Sequence, residues 1–136
     1  MTRSILMITL FSLLLCLLTF HTKYQESGWP KQGFEAQVNN SHKDPKRTAS
    51  LYGIVNVTKA PAEDNQWFTE EIIVRGKQIV IKVDGKTLVD YTEPDDAPAA
   101  KGPFPRRIAS GTFAIQAHDP KSKVLVKNIR VKPLDD

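Results

Sequence analysis

The sequence is poor in the features that mark several common functional classes. It has a single cysteine, Cys16, so no disulfide can form within the chain. It contains no Ser-His-Asp pattern, no Gly-rich phosphate loop and no zinc-ligand spacing. The net charge of the 136 residues is +4, but the 19 basic and 15 acidic residues are interspersed. With no basic block interleaved with aromatics, we expect no nucleic-acid partner.

The longest apolar run lies at the amino terminus. Residues 5–20 are nearly uninterrupted and follow Arg3, as in a secretory signal or a short membrane anchor, although no small-residue cleavage site closes the run. Leu-rich composition without polar alternation predicts an apolar helix over residues 1–20, apart from a domain over residues 21–136. The chain is then secreted, periplasmic or tethered to a membrane. The alternative is a strand region or a misassigned gene start.

The clearest secondary-structure signal lies in residues 67–91. β-Branched apolar residues alternate there with charged ones, the pattern of half-buried strands. Gly76 marks one turn, and Asp84-Gly85 marks another because both residues tolerate positive φ. We predict a three-stranded antiparallel meander and a core that includes Trp67, Ile72, Val74, Ile79, Ile81, Phe113 and Ile115.

A strand predicted over residues 33–40 has a polar face. Its apolar residues alternate with Glu35, Gln37 and Asn39, which stand about 7 Å apart along one side. A sugar could lie across such a ladder, and the alternative is a solvated sheet face. Retaining glycosidases need two carboxyl groups about 5–5.5 Å apart. Because this strand supplies only one, ordinary retaining chemistry is disfavoured.

The second half of the chain predicts a loop and a further strand. Residues 92–110 contain four prolines, which no internal strand tolerates, and so form a surface loop. Residues 112–118 alternate, with Phe113 and Ile115 on the core side. Gln116 and His118 therefore share the opposite face.

Two more strands complete the pattern. Residues 51–57 predict a short strand, and residues 124–131 predict the last one. In the last strand the apolar residues before Lys127-Asn128 are out of phase with those after it. A slip of one residue predicts a β-bulge at this point.

These segments together resemble the 3-keto-disaccharide hydrolase domain family, which has a concanavalin-like jelly-roll fold and is common in secreted bacterial proteins. The resemblance lies in the meander ending VDY, in GTFAIQAH at 111–118 and in VKNIRV at 126–131. It implies an all-β antiparallel sandwich over residues 21–136. Family members have earlier strands, with an Asn-Ser-Gly and an Arg, that are not recognisable here. The resemblance therefore implies a domain truncated at its amino terminus.

The resemblance also implies the chemistry. Its substrates are glycosides oxidised to a ketone at carbon 3, which acidifies the C2 proton. One base can then expel the aglycone by elimination, and water adds back. Glu35 and His118 are the candidate base and acid. The candidate substrate-binding residues are Gln37, Asn39, Gln116, Trp29 and Arg107.

Alternatives stay open at several of these positions. Trp29 stacks on a sugar ring or caps the core, and Arg107 grips hydroxyls or is merely solvated. No metal ligands follow from the spacing, and the cofactor is unspecified. The whole domain is a hydrolase of 3-keto-glycosides or, alternatively, a non-catalytic carbohydrate-binding module or an inactive remnant. The expected partner is an oligosaccharide or a keto-sugar.

Overall fold

The computed structural model describes residues 4–12, 16–28, 32–97, 106–117 and 119–134, and the regular structure in these ranges is all β-strand. A five-stranded sheet has the order β6-β5-β4-β1-β8, and a three-stranded sheet has the order β3-β2-β7. All strand pairs are antiparallel. The predicted all-β antiparallel sandwich is confirmed. Its strands are β1 (Ser4–Ser12), β2 (Cys16–Thr22), β3 (Phe34–Val38), β4 (Trp67–Arg75), β5 (Gln78–Val83), β6 (Lys86–Thr92), β7 (Thr112–Gln116) and β8 (Val124–Pro133).

The predicted meander is formed by β4, β5 and β6. Asp84 and Gly85 have φ values of 48° and 79°, as the tight turn between β5 and β6 requires, and Gly76 has a φ of 56° in the turn before it. Alternate residues of β4 and β5 face the other sheet. Four predicted core residues are buried in this way: Ile72, Val74, Ile79 and Ile81.

Trp67 does not belong to the core, contrary to the prediction. It is 42% exposed, and the Lys127 ammonium lies 3.9 Å from the centroid of its ring. Phe68 occupies the buried position instead. Trp67 is thus out of phase with the buried positions of β4, which alternate from Phe68 to Val74.

Phe113 and Ile115 face the core side as predicted but are not fully buried. They pair in register with Phe20 and Leu18, whose side chains are buried between the sheets. However, they remain 38% and 42% exposed. β7 is an edge of the three-stranded sheet, so the sandwich is open along its side.

The predicted apolar helix over residues 1–20 is wrong. β1 lies between β4 and β8, and β2 lies between β3 and β7, so both strands are central. Leu6 and Ile8 are buried on one face of β1, while its other face is half-buried. A strand enclosed in this way needs no polar alternation, and periodicity alone cannot distinguish it from a helix. Secretion or anchoring through this segment stays a prediction.

In the described ranges we find no helix with the length and apolar character needed to cross a membrane.

The predicted bulge in β8 is confirmed. Asn128 has a φ of 55°, and the register of β8 against β1 shifts between Met7 and Thr9. Residues 51–57, by contrast, form only isolated bridges and not the strand that was predicted. Their first residue, Leu51, bridges to Ala36 and so extends the three-stranded sheet beyond β3.

Candidate functional site

The three-stranded sheet turns one face away from the five-stranded sheet, and three of the predicted site residues meet on this outer face. Gln37 and Gln116 both pair with Leu17 in register, and Glu35 pairs with Thr19. Cross-strand partners project to the same side of a sheet, so Glu35, Gln37 and Gln116 share the outer face. His118 and Trp29 lie outside the described residues.

Glu35 forms an ion pair with Arg106. The distance from Arg106 Nη2 to Glu35 Oε1 is 2.8 Å, and Arg106 Nη1 donates to the Gly33 carbonyl oxygen at 3.2 Å. The two side chains are only 13% and 8% exposed, so the pair is largely shielded from water. A charge-assisted contact of this kind fixes the position of the carboxylate. Arg106 is therefore part of the candidate site, whereas the prediction from the sequence named Arg107.

Arg107 has other partners. Its guanidinium donates to the Ala97 carbonyl oxygen, within the loop that follows β6. Burial and the Glu93 carboxylate raise the pKa of the Tyr91 hydroxyl, and the positive charge of Arg107 lowers it. The structure thus places Arg107 beside the end of β6, where it holds the loop. Its predicted contact with substrate gains no support.

Asn39 is fully buried and organises a loop instead of facing a ligand. Its Nδ2 donates to the carbonyl oxygens of Asp44 at 2.9 Å and Lys46 at 2.7 Å, and its Oδ1 accepts from the His42 amide at 2.8 Å. His42 Nε2 in turn lies 3.8 Å from Asp119 Oδ2. The loop therefore reaches across to the end of β7. Its amide is thus occupied within this loop, and the substrate contact of Asn39 stays a prediction.

Gln37 and Gln116 retain unused hydrogen-bonding capacity. Gln37 is 1% exposed, and neither its Oε1 nor its Nε2 has a partner among the described residues. The Oε1 of Gln116 is likewise buried without a partner in those ranges. Buried polar atoms are normally paired, so these amides are suited to a hydroxyl-bearing ligand or to water.

Residues 106–109 form a strap that ties together three parts of the molecule. Arg106 pairs with Glu35, the Ile108 amide donates to Glu93 Oε1 at 2.9 Å, and His21 Nδ1 lies 2.5 Å from the Ala109 carbonyl oxygen. The strap thus links the end of β6 to β3 and β2. It closes over Glu35 in this conformation.

His21 was missed by the sequence reasoning because it follows the apolar run. It is 5% exposed and has a φ of 55°, and the register of β2 against β7 shifts between Phe20 and Thr22. Two glycines enclose this bulge. A Cβ at Gly33 would lie 2.4 Å from the Phe20 carbonyl oxygen, and one at Gly111 would lie 2.6 Å from that of Thr22. A bulge at this position re-aims a polar side chain, as bulges near functional sites do.

The part of the chain that the structure describes contains no group of three His, Cys, Asp or Glu residues placed to hold a metal ion.

Solved structures share the fold of this chain. Two Parabacteroides distasonis proteins, provisionally classed as glycosyl hydrolases, superpose with TM-scores of 0.78 and 0.75 at 18% and 14% identity. The match covers 98% of this chain in both cases, and 73% and 79% of theirs. The Bacillus subtilis carbohydrate-binding module CBM66 superposes with a TM-score of 0.68 at 13% identity, over 97% of this chain and 76% of its own. At these identities the likeness establishes the jelly-roll fold alone.

Sequence comparison gives the family. Curated proteins yield no match. The family model of the 3-keto-alpha-glucoside-1,2-lyase-like domain, however, matches residues 16–132. That range includes Glu35 and Arg106 and excludes all of β1. Because the match spans most of the chain, this protein belongs to the 3-keto-alpha-glucoside-1,2-lyase-like domain family.

Proposed function

We propose that the chain cleaves 3-keto-glycosides on the outer face of the three-stranded sheet, by elimination followed by hydration. One observation supports this above the others. Glu35 is the one carboxylate of β3, and it shares the outer face with the amides of Gln37 and Gln116. An elimination needs a single positioned base, whereas a retaining glycosidase needs two carboxyl groups. The family to which the chain belongs supports the same reading.

The proposed reaction uses these side chains in two steps. Glu35 takes the proton from C2, and the C2–H electrons form an enolate whose charge rests on the oxygen at carbon 3. The C1–O bond to the aglycone then breaks, a C1–C2 double bond forms, and an acid protonates the leaving oxygen. Water adds to C1 and a proton returns to C2. Arg106 is suited to stabilise the enolate oxygen, and His118 is the proposed acid.

Substrate entry requires the strap to shift. Glu35 is 7% exposed, and Arg106 covers it. A glycoside reaches the carboxylate when Arg106 exchanges its carboxylate contact for substrate oxygens. Gln37 and Gln116, whose buried amide atoms lack partners among the described residues, would then hold sugar hydroxyls without adding charge. Arginine suits this exchange because it presents five donors in a fixed plane.

The test is release of 4-nitrophenol from 4-nitrophenyl 3-keto-α-glucoside. Glu35→Gln removes the base but keeps the size and hydrogen bonding of the side chain. We expect its rate to fall by about 10²–10⁴-fold with binding nearly unchanged, and His118→Ala to lose rate on a similar scale. The matched control is Glu71→Gln, in the five-stranded sheet, which should keep the parent rate. Turnover by Glu35→Gln at the parent rate would refute the assignment.

A carbohydrate-binding module is the second candidate. The closed Glu35–Arg106 pair favours it, because a base already engaged by a cation is less available for proton transfer. CBM66 also shows that this fold serves sugar binding in another protein. Binding of glycosides by the parent chain, with no turnover of the keto-glucoside, would select this function.

A further inference from the structure

The second half of β8 is exposed on both of its faces. Among the described strands β8 pairs with β1 alone, at one end of the five-stranded sheet. Every residue from Lys127 to Pro133 is exposed. Val131 pairs with the buried Leu6, yet it is 48% exposed, so the facing sheet does not cover this part of β8. Within the described residues, the backbone of β8 makes no hydrogen bond outside its pairing with β1.

One face of β8 carries a row of three cations. Lys127, Arg130 and Lys132 pair with alternate residues of β1, and the β1 residues between those are buried. The three cations therefore project to the outer face of the five-stranded sheet. The bulge at Asn128 aligns them, because Lys127 and Arg130 are three residues apart and would project to opposite faces of a regular strand. Neighbours in this row stand about 7 Å apart.

The positive charge of this row is largely unneutralised. β8 contains no acidic residue. Arg130 and Lys132 form no ion pair with any residue that the structure describes. The Lys127 ammonium lies over the ring of Trp67, a contact that leaves its charge in place. The outer face of β8 thus attracts negative charge.

The other face of β8 is apolar. Val124 and Val126 pack against the core, and Val131 lines a cavity of about 350 Å³ between the two sheets. Phe113 of β7 lines the same cavity and is 38% exposed. Since β7 and β8 are both edge strands, the cavity opens to the side of the sandwich. An apolar side chain placed beside Val131 would extend the core at this opening.

We propose that β8 binds an extended segment of a partner protein by strand addition, and that this segment alternates acidic and apolar residues. The added strand would pair with the backbone groups that an edge strand presents. Its acidic side chains recur about every 7 Å on one face, which matches the spacing of the cationic row. Its apolar side chains project to the other face, beside Val131. This surface is separate from Glu35 and does not depend on the function proposed for it.

Two other occupants fit β8 less well. A second copy of β8 would bring the same three positive charges to the interface, and like charges on neighbouring strands repel. A polyanion such as an acidic polysaccharide would contact the cationic row only. It would leave the strand backbone and the apolar face unused, whereas an alternating peptide complements all three features.

The test uses the peptide acetyl-EVEIEVE-amide, with binding measured by calorimetry on the full chain. One control is acetyl-KVKIKVK-amide, and the other is the acidic peptide with every backbone amide N-methylated, which keeps the charges but blocks strand pairing. We expect only the unmethylated acidic peptide to bind, and we expect it to slow hydrogen exchange of the β8 amides. Equal binding of the methylated peptide would indicate a polyanion site and overturn the proposal. No binding of the acidic peptide would also overturn it.

Two lysines at opposite edges of the same sheet provide matched variants. Lys132 belongs to β8, Lys86 belongs to the other edge strand, β6, and both are exposed. Lys132→Glu should weaken binding of the acidic peptide by at least about tenfold, because it reverses one charge of the row. Lys86→Glu makes the same change in net charge and should leave the Kd unchanged. Thermal unfolding checks that both variants fold. Equal losses of affinity would show that net charge, and not β8, attracts the peptide, and would refute this site.

Discussion

The meander of β4–β6 and the three-stranded sheet bury different kinds of side chain. In β4 and β5 the buried positions are apolar, with Glu70 as the exception. The three-stranded sheet buries a run of polar groups, namely Thr19, His21, Thr22, Glu35, Gln37 and Asn39. Hydrophobic alternation specifies the first region, whereas paired charges, loop hydrogen bonds and close glycine contacts specify the second. Departures from simple patterning concentrate where the chemistry of a ligand is expected.

The largest expected effect concerns Glu70, the polar residue buried among the apolar positions of β4 and β5. Burial raises the pKa of the Glu70 carboxyl from 4.5 to about 8. Because ionisation of this buried carboxyl costs the folded state free energy, the contribution of Glu70 to the free energy of unfolding is most favourable below pH 4.5. It should fall as pH rises from 4.5 to 8, by about 5 kcal/mol from this group, and level off above that. The measurement is urea unfolding across this pH range.

Glu70→Gln should remove this part of the pH dependence. Glu71→Gln is the matched control, because Glu71 faces the opposite side of the sheet, 3.9 Å from Lys82, and should keep the parent slope. Parallel curves for the parent and Glu70→Gln would show that Glu70 is not a neutral buried acid.

The next effect tests the glycine contacts of the three-stranded sheet. Gly33 and Gly85 both have positive φ, 92° and 79°. A Cβ at Gly33 would meet the Phe20 carbonyl oxygen at 2.4 Å, whereas one at Gly85 would meet nothing within 4 Å. We expect Gly33→Ala to cost about 3 kcal/mol or more, and Gly85→Ala about 1–2 kcal/mol from backbone strain alone. Equal losses of unfolding free energy for the two variants would mean that the backbone around His21 moves to accommodate the new Cβ. The close glycine contacts would then not fix the bulge.

The smallest expected effect concerns ion pairs. Double-mutant cycles compare one ion pair from each region. Glu35–Arg106 is short and nearly buried, whereas Glu71–Lys82 spans 3.9 Å with side chains 22% and 30% exposed. We expect a coupling free energy of about 1–3 kcal/mol for the first pair and less than about 0.5 kcal/mol for the second. Glutamine replaces each charged residue, and equilibrium unfolding reports the coupling. Similar values for both pairs would remove the electrostatic distinction between the regions.

The sequence predicts most of the fold in segments where apolar and polar residues alternate regularly. The β8 bulge at Asn128 was predictable because apolar residues change phase across it. The β2 bulge at His21 was not predictable, because residues 17–20 are apolar on both faces except for Thr19. Apolar and polar residues do not alternate there, so the sequence shows no change of phase at the bulge. The same uniformity led to the wrong helix over residues 1–20.

The candidate site follows the same rule. The shared face of Glu35, Gln37 and Gln116 follows from alternation within each strand, and the register agrees with it. The choice between Arg106 and Arg107 depends on the path of a proline-rich loop, which has no period. The role of Asn39 depends on a distant loop backbone for the same reason. Residues that act through loops are thus the ones that sequence patterning cannot assign.

The edge strands β7 and β8 differ in their tendency to aggregate. β8 carries Lys127, Arg130 and Lys132, and charges of one sign oppose the stacking of a second identical strand. β7 reads TFAIQ and carries no charge, with Phe113 and Ile115 exposed. Self-association into cross-β aggregates, if the concentration is raised, should therefore start at β7 and spare β8.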